Sequence, residues 1–240
     1  MHINNSNIFL VSYLGGSFGN ALANLINTTV VNDWREPKQN NYHTVPWPYD
    51  SEQAFITPDS PLDFFYPIDQ FTVTQFHCLN SDILRYRFPE SNGVILSYMP
   101  EQEKYILNRL WRVLFKPNCS EKWSEQVVQA FNHIVYNKKQ LEDQQINFKS
   151  CDQIKIIAFD QIADSISVVE NLINCKISSH NIKQYQHYID QQMIDFYTLE
   201  PSIEFVWELY ESLGADAPIL DIVKGLSNEN HSQKKLNRIS

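Results

Sequence analysis

The chain has little glycine, six residues in 240, and its four cysteines never fall in a CxxC spacing. The cysteine pattern argues against a zinc knuckle. Apart from the short QKKLNR near the end there is no block of lysine or arginine, and the formal net charge is −9. A nucleic-acid footprint needs a basic face, so nucleic acid is not an expected partner. A local basic pocket for one phosphorylated ligand stays open. No apolar run approaches the roughly 20 residues of a membrane span. The N-terminus shows no charged segment leading into a long apolar one, as a secretory signal would. The expectation is a cytoplasmic protein with no membrane partner, in which Cys78, Cys119, Cys151 and Cys175 are reduced thiols.

What is present reads as an ordinary globule, 43% apolar and 20% charged. Five β-branched or aromatic runs predict buried strands: IFLVSYL (8–14), TTVVND (28–33), FTVTQF (71–76), GVILSYM (93–99) and IKIIAF (154–159). Most are apolar without alternation, the pattern of strands covered on both faces of a parallel sheet. Helical segments lie between them. One is SDILRYRF, with Ser81 or Asp82 as N-cap. Another, residues 100–115, opens on Pro100, and a third is SEQVVQAFNHIVYNKKQL. The predicted fold class is α/β: a doubly wound, mostly parallel five-stranded sheet with a P-loop-like first turn and a helical C-terminal part. Residues 1–226 are read as one domain, with an irregular insertion at 34–70, helices over 161–226 and a polar tail at 227–240. The six prolines of 34–70 suit either a lid over a binding site or a packed Ω-loop.

Half of the glycines fall in SYLGGSFGNALANLI, directly after the first apolar run. A strand, a glycine-rich turn and a helix form the layout of an anion-binding loop. Gly15, Gly16 and Gly19 reach conformations closed to other residues, and N–H groups at a helix start can wrap a phosphate. Ser17, Phe18 and Asn20 complete the candidate cofactor-binding turn, to which the Ser17 hydroxyl could add a bond. The alternative is a tight turn whose glycines only permit close packing. The loop follows the first strand, where doubly wound folds place an anion site. It is neither a Walker A motif nor GxGxxG.

With FHCLNSDILRYRFPESNGVILSYMPEQE added, the sequence resembles the sulfotransferase family. FHCL is similar to that family's THLP, FPESNGVILSYMP to the strand leading to its 3′-phosphate site, and IKIIAFDQIAD…VVENLI to a later strand and helix. The likeness covers roughly residues 8–26 and 71–175 and is one of pattern. It implies that PAPS is the cofactor, bound at Gly15–Asn20, that a small-molecule or glycan hydroxyl is the acceptor, and that His77 is the general base. An imidazole suits that role because it exchanges a proton near neutral pH. The other reading of His77 is a strand-end histidine bonded to a neighbouring carbonyl.

Several family groups have no counterpart. The loop lysine falls at Gly15 or Gly16, the strand-end arginine at Tyr98, and a downstream serine at Ile106 or Leu107. Tyr98 and Arg109 complete the candidate cofactor contacts; Lys104, Arg109 and Arg112 either replace the missing cations or form a solvated face. Tyr105, Ile106, Leu110, Trp111, Leu114 and Phe115 recur at helical spacing and read as core. His180, Lys183, Gln184 and His187 share a helical face that reads as polar surface, so no metal is expected. Asp160 either orients a ligand or caps the next helix. Two alternatives to a sulfotransferase stand beside it. One is a non-catalytic member of the fold that binds a ligand or a partner. The other is a nucleotide-sugar glycosyltransferase.

Overall fold

The structure is a computed structural model and describes residues 8–30, 71–114, 145–199 and 201–213. The expected excursion at 34–70, the helix at 124–141 and the tail from 227 lie outside these residues.

The described elements are strands β1 (Ile8–Ser12), β2 (Thr72–Phe76), β3 (Asn92–Ser97) and β4 (Ile154–Ala158), with helices α1 (Gly19–Val30), α2 (Ser81–Arg87), α3 (Glu103–Leu114), α4 (Ile166–Ile173), α5 (Ser179–Met193) and α6 (Pro201–Leu213). The protein is α/β. Its four described strands form one parallel sheet in the order β2-β1-β3-β4. The register sets Ser12 of β1 beside Phe76 of β2 and Ile95 of β3, and Ser97 of β3 beside Ala158 of β4. All strands therefore end at one edge. The order reverses between β1 and β3, and in open α/β sheets such a reversal leaves a crevice outside the strand ends.

β1 is buried at every position, as its unbroken apolar run requires. Phe9, Leu10, Val11, Phe76, Ile95 and Leu96 are at most 1% exposed; each such side chain contributes about 1.5–3 kcal/mol on leaving water. At Gly93 the strands β1 and β3 come so close that a Cβ there would lie 2.6 Å from Leu10 Cβ. α1 lays Ala21, Leu22, Leu25 and Ile26 against β1 and β2 and also meets α5, while α4 packs on β3.

One expected strand is a helix end. Of TTVVND, Thr28 to Val30 are the last turn of α1, and 31–33 lie outside the described residues. Thr28 bonds its hydroxyl to the Asn24 and Leu25 carbonyls and Thr29 to Leu25, at 2.8–3.0 Å. The apolar face of α1 and these back-bonds override the β preference of the residues. The α2 cap also differs from expectation. Asn80, not Ser81 or Asp82, accepts from the Asp82 and Ile83 N–H groups at 3.0 and 3.2 Å. Pro100 opens a 3₁₀ turn, Pro100–Gln102, that runs into α3.

By compactness the chain divides into two units, the first holding the sheet with residues up to Glu103 and the described residues to Asp195, the second holding Lys104–Leu114 of α3, residues 196–199 and α6. In the second unit, Asn108 and Arg112 both donate to the Thr198 carbonyl, at 3.0 and 2.6 Å. Tyr105 stands edge-on to Tyr197, 5.1 Å between centroids. Of the expected core stripe, Ile106 is fully buried, and Tyr105 and Leu110 are half-buried. No described helix is long and apolar enough to cross a membrane.

Candidate functional site

The edge where the strands end carries β1's exit turn, His77 after β2, Tyr98 after β3 and Asp160 after β4. The turn is built by glycine. Ser17 N–H donates to the Leu14 carbonyl at 3.0 Å, closing a four-residue turn with Gly15 and Gly16 at its centre. Gly16 has φ 98°, the left-handed conformation that the third position of a type II turn requires. Phe18 also has a positive φ, 64°, which costs a non-glycine residue about 1–2 kcal/mol. Burial of its ring to 3% exposure and stacking on Phe159, 6.1 Å between centroids, offset that cost. Gly19 starts α1 pressed against the Tyr13 ring. The N–H groups of Gly19, Asn20 and Ala21 precede the first helical bond, from Leu22 N–H to the Phe18 carbonyl at 3.1 Å. Ser17 is fully buried, and its hydroxyl donates to the Leu14 carbonyl at 2.7 Å. Its proton is thus used inside the turn.

Tyr13 joins the turn to the neighbouring strand. Its N–H extends the ladder to the Phe76 carbonyl at 3.0 Å. Its phenol, which burial holds well above the usual tyrosine range, meets the side-chain amides of Asn20 and Gln75, the latter at 2.5 Å. One phenolic proton serves one of the two amide oxygens at a time.

His77 lies against the same residue. Its ring stands edge-on to the Tyr13 ring, 5.1 Å between centroids, and Nδ1 is 2.8 Å from the Tyr13 carbonyl. A carbonyl accepts only, so Nδ1 carries the proton and donates to it. Ser12 fixes the backbone on both sides of His77. Its buried hydroxyl reaches the Phe76 and Cys78 carbonyls and accepts from Cys78 N–H at 3.1 Å. The Cys78 thiol is itself buried and pushed up to about 12, which leaves it inert as a nucleophile.

Beyond β3, Tyr98 stands edge-on to Phe148, 5.9 Å between centroids. Phe148 follows a short bridge in which Asn147 N–H donates to the Leu79 carbonyl at 2.9 Å and Ser81 N–H to the Asn147 carbonyl at 3.1 Å. Burial, and then the Glu103 charge, push the Tyr98 phenol upward. Asp160 accepts from Gln102 at 3.1 Å, and Gln102 accepts from Met99 N–H at 2.9 Å. Asp160 is therefore tied through Gln102 to the residues after β3, and the N-cap position of α4 is held by Ser165, whose side chain makes no cap hydrogen bond. The described residues hold no group of three metal-ligating side chains.

The structure thus brings His77 against Tyr13, the residue before Leu14 and the glycine turn, and sets Tyr98 at the next strand end but one. Arg109 falls in the second unit, as does Arg112. No family model matches the chain, and no curated protein matches it. Tyr13, Ser12, Gln75 and Gln102 organise this edge, yet the sequence did not single them out. Only Tyr13 left a signal, as a polar-tipped aromatic between an apolar strand and paired glycines.

Proposed function

We propose that the strand-end edge binds a phosphorylated nucleotide over the turn Gly15–Asn20, and that His77 takes the proton from a hydroxyl acceptor, the transfer class that the sulfotransferase resemblance implies. The observation that carries this reading is the bond from His77 Nδ1 to the Tyr13 carbonyl. It orients the imidazole against Tyr13, the residue that leads into the glycine turn, with Nδ1 as the donor, so Nε2 is the basic nitrogen of the neutral ring. The strand reversal between β1 and β3 supports the location, and a doubly wound, P-loop-like arrangement is part of the proposal. The fit to PAPS is uneven. The turn and the head of α1 suit one phosphate, although no lysine or arginine stands among residues 13–20. The end of β3 offers a neutral phenol and a carboxylate where a second phosphate would need cations, so PAPS does not fit there.

A second reading, a protein that binds such a ligand without chemistry, draws on Ser17 and Gly19. Both serve packing inside the turn, through the Leu14 carbonyl and the Tyr13 ring. Calorimetric titration with adenosine 5′-phosphate, together with an assay in which a nucleotide 5′-phosphosulfate is the sulfuryl donor and the nucleotide 5′-phosphate the leaving group, separates the readings. Binding with sulfuryl transfer to a phenolic or sugar hydroxyl, lost in His77→Asn, supports the first. Binding without transfer supports the second, and absence of binding removes both.

A further inference from the structure

Three groups gather where β3 and β4 leave the sheet. The Tyr98 hydroxyl is shielded from water and has no hydrogen-bond partner among the described residues. Glu103 is 6% exposed, and its charge acts on that phenol. Asp160 is held through Gln102 to the residues after β3. A buried donor without a partner is costly to keep, and one that feels the Glu103 charge at the strand-end edge is placed to donate to a ligand. Because burial and Glu103 both raise the phenol, it stays a neutral donor.

Resting on the nucleotide reading above, we infer that this end of the crevice takes a ribose hydroxyl, so that the ligand is a nucleoside 5′-phosphate with free ribose hydroxyls rather than one with a 3′-phosphate. A hydroxyl both accepts and donates, so it can accept from Tyr98 and donate to a carboxylate. A phosphate monoester only accepts, and it brings a charge of about −1.5 to −2 toward Glu103 and Asp160. The same division holds in dinucleotide folds, where a strand-end acid takes a ribose hydroxyl and an arginine takes a ribose phosphate. Lys149, next to Phe148, is exposed, and a solvated lysine compensates little of such repulsion.

The test is calorimetric titration of the full chain, wild type and Tyr98→Phe, with adenosine 5′-phosphate, adenosine 3′,5′-bisphosphate and 3′-deoxyadenosine 5′-phosphate. The 5′-phosphate is expected to bind tighter than both others, with losses on the order of ten-fold for the missing hydroxyl. Tyr98→Phe should erase the advantage over the 3′-deoxy compound. Its thermal midpoint should hold or rise, because it removes an unpartnered buried polar atom. Equal or tighter binding of the bisphosphate overturns the inference and leaves the nucleotide reading standing. Equal binding of the 3′-deoxy compound, or a fall in the midpoint of Tyr98→Phe, overturns it as well. If none of the three binds, the nucleotide reading falls and the inference with it.

Discussion

Gly19 and the ring of Tyr13 compete for one space: a Cβ on Gly19 would lie 2.0 Å from Tyr13 Cδ1. The ring cannot retreat easily, since Tyr13 is 2% exposed and its hydroxyl is held by Asn20 and Gln75. Gly19→Ala is expected to cost about 1–3 kcal/mol, the usual range for overpacking, read as a lower urea midpoint. Gly16→Ala should cost about 1–2 kcal/mol for a different reason, its left-handed backbone. A wild-type midpoint for Gly19→Ala would mean that the ring swings aside.

His77→Asn separates a proton acceptor from a strut. If His77 serves as the base, turnover should fall by roughly 10²–10⁴-fold, with nucleotide affinity within a factor of about two of wild type. A purely structural histidine would instead show a lowered thermal midpoint and proportionate losses in both.

Asn80 does two jobs. Its Oδ1 caps α2, and its Nδ2 donates to the Gln145 carbonyl at 2.6 Å. Asn80→Ala should therefore cost about 0.5–2 kcal/mol from the cap plus the lost tie to residue 145. Asn80→Asp keeps the acceptor and loses the donor, so its unfolding midpoint should fall between wild type and Asn80→Ala.

Glu170 sets a pH dependence. Lys176 at 2.6 Å, and then the Ile177 N–H at 3.0 Å, hold its carboxyl below the ordinary 4.5. A carboxyl lowered in the folded state contributes stability that is present above its unfolded value and lost as pH falls through the folded one. Acid titration of the unfolding midpoint should show this loss below about pH 4.5. Glu170→Gln should flatten that part of the profile; an unchanged profile would show that the contact contributes nothing.

Four strands were legible because each is a short β-branched or aromatic run bounded by turn residues. Thr28–Val30 misled because propensity is local, whereas the stripe Leu22, Leu25, Ile26 that continues the helix belongs to tertiary packing. The cap at Asn80 lay one position from the expected one in a stretch, NSD, where every residue can cap. The partners of Tyr13 were out of reach of pattern reading. Gln75 and His77 lie 62 and 64 residues away in sequence, and only the register of β1 on β2 brings them together. Ser17 was legible as a turn residue; that its hydroxyl points back into the turn follows from backbone geometry.

The central place of β1 shapes how the chain comes into being. Its partner on one side lies 64 residues downstream, and its partner on the other side emerges later still. At synthesis rates of about 5–20 residues per second, β1 spends roughly 3 to 13 seconds outside the ribosome before β2 exists. During that time IFLVS is an unpaired segment, apolar but for Ser12. Such a delay exposes the nascent chain to strand-to-strand association, and it makes the first strand the natural stretch for a holding chaperone to cover.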